Sequence, residues 1–85
     1  MASTRRARVV VYHAQGCHLC ERALEQVQVL QQELGFELEL VDIGGDAELE
    51  ERYRVSIPVV EIDGEPAFTY FVDPDALRER LRERP

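Results

Sequence analysis

Two cysteines are the residues of this sequence best suited to do chemistry. Cys17 and Cys20 are the only cysteines in the chain, and His18 and Leu19 separate them. A thiolate attacks disulfides, and two thiols at this spacing can close a disulfide with each other. The spacing therefore predicts thiol–disulfide exchange, with Cys17 as nucleophile and Cys20 as the resolving thiol that attacks the mixed disulfide.

The flanking residues predict that this pair opens a helix. A β-branched and aromatic run over residues 8–14 indicates a strand, and apolar residues then recur at helical spacing over 18–34. Unpaired N–H groups and the helix dipole stabilise an anion there, so we expect a lowered pKa for the Cys17 thiol. Cys20, one turn further in, should keep its proton longer. His18, when protonated, would favour the anion at Cys17, which gives it an assisting catalytic role.

The other elements are predicted from periodicity, caps and turn residues. Asp63-Gly64 indicates a tight hairpin, and Asp73 followed by Pro74 indicates a capped final helix. We expect an α/β fold, β-α-β-α-β-β-α, with a four-stranded mixed sheet flanked by helices. Its other predicted segments are a strand over 36–42, a helix over 47–53, and strands over 55–62 and 66–71. In the first and last helices, we expect Leu34, Leu77 and Leu81 to face the core. The arginines of the last helix should face water: Arg78, Arg80, Arg82 and Arg84.

Length and charge limit the domain count and the partners. With 85 residues, the chain holds one domain, which we place at 8–85 after a short tail over 1–7. The net charge of −7 disfavours nucleic acid as a partner and favours a monomer. No apolar run approaches the ~20 residues that span a bilayer, and the first residues lack a signal-peptide pattern. We therefore expect a cytoplasmic protein that does not bind membranes.

Three segments together resemble a known family. The strand leading to Cys17-x-x-Cys20, the run Ser56-Ile57-Pro58-Val59-Val60, and Asp63-Gly64 look like glutaredoxins of the thioredoxin superfamily, most closely the small bacterial glutaredoxin-like proteins. The resemblance covers about residues 8–82 and implies a thioredoxin-like fold. It also implies that Pro58 is cis and lies beside the cysteines. The substrate-binding residues that it implies are Gly16, Ser56, Ile57, Pro58 and Asp73.

The sequence departs from that family in ways that bear on the substrate. His18-Leu19 stands where relatives often have Pro-Tyr, and 68–71 stands where relatives carry a Gly-Gly segment that helps to hold glutathione. Asp73 is better explained as a helix cap than as a contact to a γ-glutamyl group. The expected substrates are protein disulfides or glutathione mixed disulfides. No tightly bound cofactor is expected, and glutathione or a thioredoxin reductase-type donor would supply electrons.

Other readings of the cysteine pair stay open. Soft thiolates also bind Cu(I), but copper chaperones follow the order β-α-β-β-α-β, which differs from the order predicted here. A redox-inactive module that binds a peptide in the same groove, a pair of buried structural thiols, a structural disulfide and an iron–sulfur-bridged dimer are further alternatives. No metal site is predicted, because Cys17, Cys20, His13 and His18 are too cramped for tetrahedral zinc in one subunit.

Overall fold

A computed structural model describes residues 6–83 as one mixed sheet with three helices. The order of elements is the predicted one, and the bounds of the first two helices agree with the sequence analysis. The elements are β1 (Arg8–His13), α1 (His18–Leu34), β2 (Glu37–Asp42), α2 (Ala47–Tyr53), β3 (Val59–Ile62), β4 (Glu65–Thr69) and α3 (Pro74–Glu83).

The four strands lie in the order β2-β1-β3-β4. β1 pairs with β2 in parallel and with β3 in antiparallel orientation, and β3 and β4 form the hairpin predicted at Asp63-Gly64. β2 is an edge strand, which explains its alternation of exposed Glu37 and Glu39 with apolar neighbours. β1 is therefore central, and the loop that carries Cys17 follows directly from it.

The main core lies on one face of the sheet. Val9 and Val11 of β1 are fully buried against Ala23 and Val27 of α1, and Leu77 of α3 belongs to the same cluster. Tyr12, the next residue along β1, points to the opposite face because side chains alternate along a strand. There it stacks on Tyr53 of α2, so α2 covers the second face.

The predicted strand over 55–62 is too long. β3 begins only at Val59, because the chain leaving α2 continues in a turn in which the Ser56 N–H donates to the Tyr53 carbonyl at 2.8 Å. Val55 and Ile57 are β-branched and continue the apolar pattern of β3 in the sequence, so the predicted strand included them although they do not join the sheet. The other strands differ from their predicted ends by one or two residues, as is usual where hydrogen bonding frays.

Two predicted orientations in the helices are also wrong. Leu34 is exposed, because α1 ends there and Gly35 turns the chain away in a left-handed C-cap. Arg78 does not simply face water: it donates two hydrogen bonds to the Glu33 carboxylate, at 2.8 and 2.9 Å. α3 is thereby tied to the end of α1. Leu77 is buried as predicted, whereas Arg84 lies outside the described residues.

At the start of the described chain, Ala7 is buried and its carbonyl accepts the Glu37 N–H at 2.8 Å. Residues 1–5 of the predicted tail lie outside the described range. Among residues 6–83, no helix has both the length and the apolar character needed to cross a membrane.

Candidate active site

Cys17 is the N-cap of α1. Its backbone is extended, its sulfur accepts the Cys20 N–H at 3.2 Å, and its carbonyl accepts the Glu21 N–H at 3.1 Å. The sulfur thus occupies the position where a serine or aspartate oxygen caps most helices. Because the first turn of a helix carries N–H groups that have no intrahelical partner, this position favours a thiolate once the pair is reduced. The predicted location of Cys17 is confirmed.

Cys17 and Cys20 form a disulfide across one helical turn. Their Cα atoms are 5.2 Å apart, within the range that disulfides require. The two residues differ in access: Cys17 is half-buried, whereas Cys20 is 1% exposed and packs at the base of the helix. A fold of this kind with a closely spaced cysteine pair suggests a redox function, and a reactant from solution would meet Cys17 first.

Gly16 makes the turn between β1 and the helix possible. Its φ is +76°, a left-handed conformation that favours glycine. A Cβ atom would meet no other atom within 4 Å, so the requirement for glycine is conformational and not one of space. Gly16 therefore sets the direction in which Cys17 enters α1.

His18 is the most exposed of the predicted catalytic residues. Its side chain is 94% exposed, and its Nδ1 atom lies 3.8 Å from a carboxylate oxygen of Glu21. The imidazole thus lies in the first turn of α1, beside Cys17 in the chain, with solvent on most of its surface.

The segment before β3 lies at the same end of the sheet as the cysteine loop. Val59 pairs with Tyr12 near the end of β1. Pro58, the residue before Val59, therefore lies beside the point where the chain leaves β1 toward Cys17. The Ile57–Pro58 peptide bond is cis. Pro58 is buried, while Ile57 is half-buried, and no hydrogen bond uses the Ile57 N–H or carbonyl among the described residues. These main-chain groups are therefore available to a ligand.

Tyr70 is a site residue that the sequence analysis did not find. Its φ is +67°, its N–H donates to the Pro58 carbonyl at 2.9 Å, and its phenol donates to the Val55 carbonyl at 2.6 Å. The sequence placed Tyr70 in the replaced Gly-Gly segment but gave no signal that it would reach back across the chain to residue 55. The residue bridges the loop after β4 and the segment before β3.

An apolar surface adjoins the cysteine helix. Val55 is 79% exposed, Phe71 68% and Tyr70 44%. Tyr70 and Phe71 also line a cavity of about 410 Å³ together with Leu19, which lies between the two cysteines. Large apolar side chains with this exposure often mark a binding surface. The remaining lining residues are Arg22, Ala23, Glu25, Gln26 and Val72.

Asp73 caps α3 as predicted. Its Oδ1 atom accepts the N–H groups of Asp75 and Ala76 at 3.0 and 3.2 Å, and its carbonyl accepts the Leu77 N–H at 2.9 Å. Asp73 directly follows Val72, so it is adjacent in the chain to the surface formed by Tyr70 and Phe71. No group of three or more histidine, cysteine, aspartate or glutamate side chains within residues 6–83 is arranged to hold a metal.

A second polar cluster lies on the α2 face of the sheet. The Tyr12 and Tyr53 rings stack at 4.1 Å, and both phenols lie 3.4 Å from the Glu61 carboxylate. Burial is the largest cause that raises the pKa of Tyr12 to about 12, followed by the hydrogen bond with Tyr53 and the charge of Glu61. The cluster attaches α2 to the sheet, because α2 buries no side chain fully.

Comparison with known proteins gives a consistent relationship. A family model described as "Glutaredoxin-like domain (DUF836)" matches residues 8–82. An uncharacterized protein of Mycobacterium tuberculosis is 34% identical, with 74% of this chain and 70% of that protein covered. A solution structure from Nitrosomonas europaea has a TM-score of 0.77 at 32% identity, covering 95% of this chain and 98% of that one.

Two further solved structures, one of them a thioredoxin, confirm the fold. Fasciola hepatica thioredoxin superposes with a TM-score of 0.64 at 26% identity, covering 94% of this chain and 82% of that one. A crystal structure from X. campestris gives a TM-score of 0.72 at 31% identity, covering 91% and 99%. The mixed sheet with its three helices is thus a thioredoxin-like fold, as predicted. With its family model spanning 8–82, the chain belongs to the glutaredoxin-like domain family.

Proposed function

We propose that the protein is a thiol–disulfide oxidoreductase that uses Cys17 and Cys20 as a dithiol–disulfide pair. The observation that carries the proposal is the position of Cys17: its sulfur caps α1, accepts a main-chain N–H and is half-buried, while its partner is buried. A thiolate is both stabilised and reachable at that position. The same geometry gives Cys20 no direct access to a large substrate.

The reaction starts from the reduced pair. The Cys17 thiolate attacks one sulfur of a substrate disulfide, a mixed disulfide forms, and the first substrate sulfur leaves as a thiolate. Cys20 then loses its proton and attacks the Cys17 sulfur. The mixed disulfide breaks, the second substrate thiolate leaves and takes up a proton, and the protein holds the Cys17–Cys20 disulfide. Two electrons pass from the protein to the substrate.

The main chain of Ile57 is the proposed contact for the substrate backbone. Its N–H and carbonyl are free among the described residues, and it lies next to Pro58 at the cysteine end of the sheet. An extended peptide that carries the target disulfide can pair with such a segment as an added strand does. Gly16 and Ser56 flank this path, and Asp73 would add a charged contact only for a ligand that reaches α3.

Protein disulfides and glutathione mixed disulfides are the proposed substrates. A second dithiol or two thiols must return the electrons, and glutathione or a thioredoxin reductase-type donor would do so. In this scheme the protein needs no bound cofactor. His18 assists only through its charge, since its side chain is 94% exposed and electrostatic effects are weak in solvent.

Trapping tests the proposal. In Cys20→Ser, the mixed disulfide on Cys17 cannot be resolved, so substrate proteins or glutathione should accumulate as adducts that dithiothreitol releases. Cys17→Ser is the matched control and should capture nothing. Captured species identify the substrate class by mass spectrometry. An active-site pair that reduces no disulfide, and whose Cys20→Ser variant captures nothing, would instead favour the Cu(I) or peptide-binding alternative.

A further inference from the structure

Tyr70 adopts a conformation that an aromatic residue rarely takes. Its φ of +67° lies in the left-handed region, where the side chain of an L-residue crowds its own backbone. Such a conformation persists when the surrounding structure holds it, and it often marks a functional position. Tyr70 follows β4 directly and is the central residue of a tight three-residue turn, in which the Phe71 N–H donates to the Thr69 carbonyl at 2.7 Å.

The conformation lets a single residue bind both ends of the segment before β3. Its N–H reaches the Pro58 carbonyl at 2.9 Å, and its phenol reaches the Val55 carbonyl at 2.6 Å. The three residues 55–57, which follow the C-cap of α2 and precede Pro58, have one other main-chain bond, from the Ser56 N–H to the Tyr53 carbonyl. Without the Tyr70 phenol, the Val55 carbonyl would have no hydrogen-bond donor among residues 6–83 and could bond only to solvent.

Ile57 lies in the middle of the segment that Tyr70 holds. Because its own N–H and carbonyl are not used, the position of these groups depends on what fixes the residues on each side. The hydrogen bonds from Tyr70 fix those neighbours, Val55 and Pro58. A segment ordered before binding costs less entropy when a partner pairs with it.

We propose that Tyr70 is a positioning residue that orders the 55–58 segment and so selects extended protein disulfides over small ones. The inference rests on the proposed function, because it assigns Ile57 to the substrate backbone. A small disulfide offers no main chain to pair with Ile57, so it gains nothing from an ordered segment. Tyr70 acts through that segment and does not take part in the exchange of electrons.

The test compares Tyr70→Phe with Tyr53→Phe. Both variants lose one phenol oxygen, but the Tyr53 phenol lies near Glu61 on the α2 face and away from the segment. We expect Tyr70→Phe to raise KM for insulin disulfides roughly 3- to 10-fold, the effect of one lost hydrogen bond, with kcat changed less than about twofold. The preference for insulin over bis(2-hydroxyethyl) disulfide, as the ratio of the two kcat/KM values, should fall by the same factor. Tyr53→Phe should leave this ratio at its original value.

Amide hydrogen exchange gives a readout that does not depend on activity. The Ser56 and Tyr70 amides, which donate to the Tyr53 and Pro58 carbonyls, should exchange several-fold faster in Tyr70→Phe than in the unmodified protein, and the amides of β1 should keep their rates. Faster exchange together with a lower preference for insulin supports the inference. Unchanged exchange would overturn it, and so would faster exchange with an unchanged preference.

The failure of the proposed function would look different. In that case the unmodified protein would reduce neither insulin nor the small disulfide, and Cys20→Ser would capture nothing. If instead the unmodified protein reduces both and Tyr70→Phe lowers kcat/KM equally for both, the proposed function stands and the role of Tyr70 in selection is refuted.

Discussion

The sulfur of Cys17 and the main-chain N–H of Cys20 are joined at 3.2 Å across the first turn of α1. When the disulfide is reduced, this N–H is placed to stabilise a thiolate at Cys17. Because Cys20 itself lies one turn inside the helix and is almost fully buried, its sulfur has no comparable set of free donors. This difference predicts two cysteines of unequal reactivity.

Alkylation of single-cysteine variants measures that difference. Cys17, alone in Cys20→Ser, should react with iodoacetamide at half its maximal rate at a pH below the ordinary pKa of a free cysteine. Cys20, alone in Cys17→Ser, should react at least about tenfold more slowly in the folded protein because it is buried. Full reactivity of Cys20 in 6 M guanidinium is the control for its chemistry. Equal rates for the two cysteines in the folded protein would contradict the assignment.

Loss of the Asp73 cap should destabilise the C-terminal helix. Asp73→Ala removes the acceptor for two N–H groups, and such a loss typically costs about 0.5–2 kcal/mol of unfolding free energy. Asp73→Ser keeps an oxygen at the same place and should recover most of that free energy. Urea denaturation of both variants checks the prediction, and a serine variant as unstable as the alanine variant would argue against a capping role.

The ion pair between Arg78 and Glu33 should make the free energy of unfolding depend on pH in the acidic range. Its hydrogen bonds lower the pKa of Glu33, so the folded protein binds that proton less tightly than the unfolded chain does. The stabilisation is present above the ordinary pKa of glutamate and is lost as pH falls through the lowered value. Melting temperatures between pH 6 and pH 3 should therefore fall less steeply in Arg78→Gln than in the unmodified protein. Arg80→Gln, which removes an arginine of the same helix, should keep the original slope.

The Tyr12 cluster should lose stability at alkaline pH, whereas the ion pair of Glu33 loses it in acid. Since burial raises the pKa of Tyr12 to about 12, the folded protein holds the phenol proton more tightly than the unfolded chain. This contribution is complete below pH 10, the ordinary value for tyrosine, and is lost as pH rises toward 12. Its size should not exceed about 1 kcal/mol, because solvent reaches the cluster.

Unfolding by urea at pH 9, 10 and 11 measures this loss. Tyr12→Phe carries no phenol at that position and should show a smaller decrease in stability over the same range. The same decrease in both proteins would mean that other groups cause the alkaline sensitivity.

Local signals made much of this fold predictable. The start of α1 was predictable because apolar residues begin to recur at helical spacing there, and its end because Gly35 is a C-cap. Asp73 indicated the start of α3 as an N-cap. The hairpin at Asp63-Gly64 is a two-residue signal of equal clarity. The position of Cys17 at the start of α1 could therefore be inferred from the residues of α1 itself and of the strand before it.

The parts that were not predictable depend on distant partners. Tyr70 reaches Val55 across 15 residues, and Arg78 reaches Glu33 across 45. Nothing in the sequence beside Tyr70 indicates a left-handed conformation, since aromatic residues disfavour it. The strand at Val55 was overestimated for a related reason: β-branched residues favour strands only where a neighbouring strand can pair with them.

The attachment of α2 has a practical consequence for engineering. This seven-residue helix buries no side chain fully, and its main contacts are one ring stack and the approach of one phenol to a carboxylate, all on the face of the sheet opposite to the α1 core. The exposed Gly44-Gly45 turn in front of it is therefore a suitable place to insert a reporter peptide. Because β2 ends beside β1, with the Ile43 N–H donating to the His13 carbonyl, a fluorophore in this turn would lie at the cysteine end of the sheet and could report partner binding there.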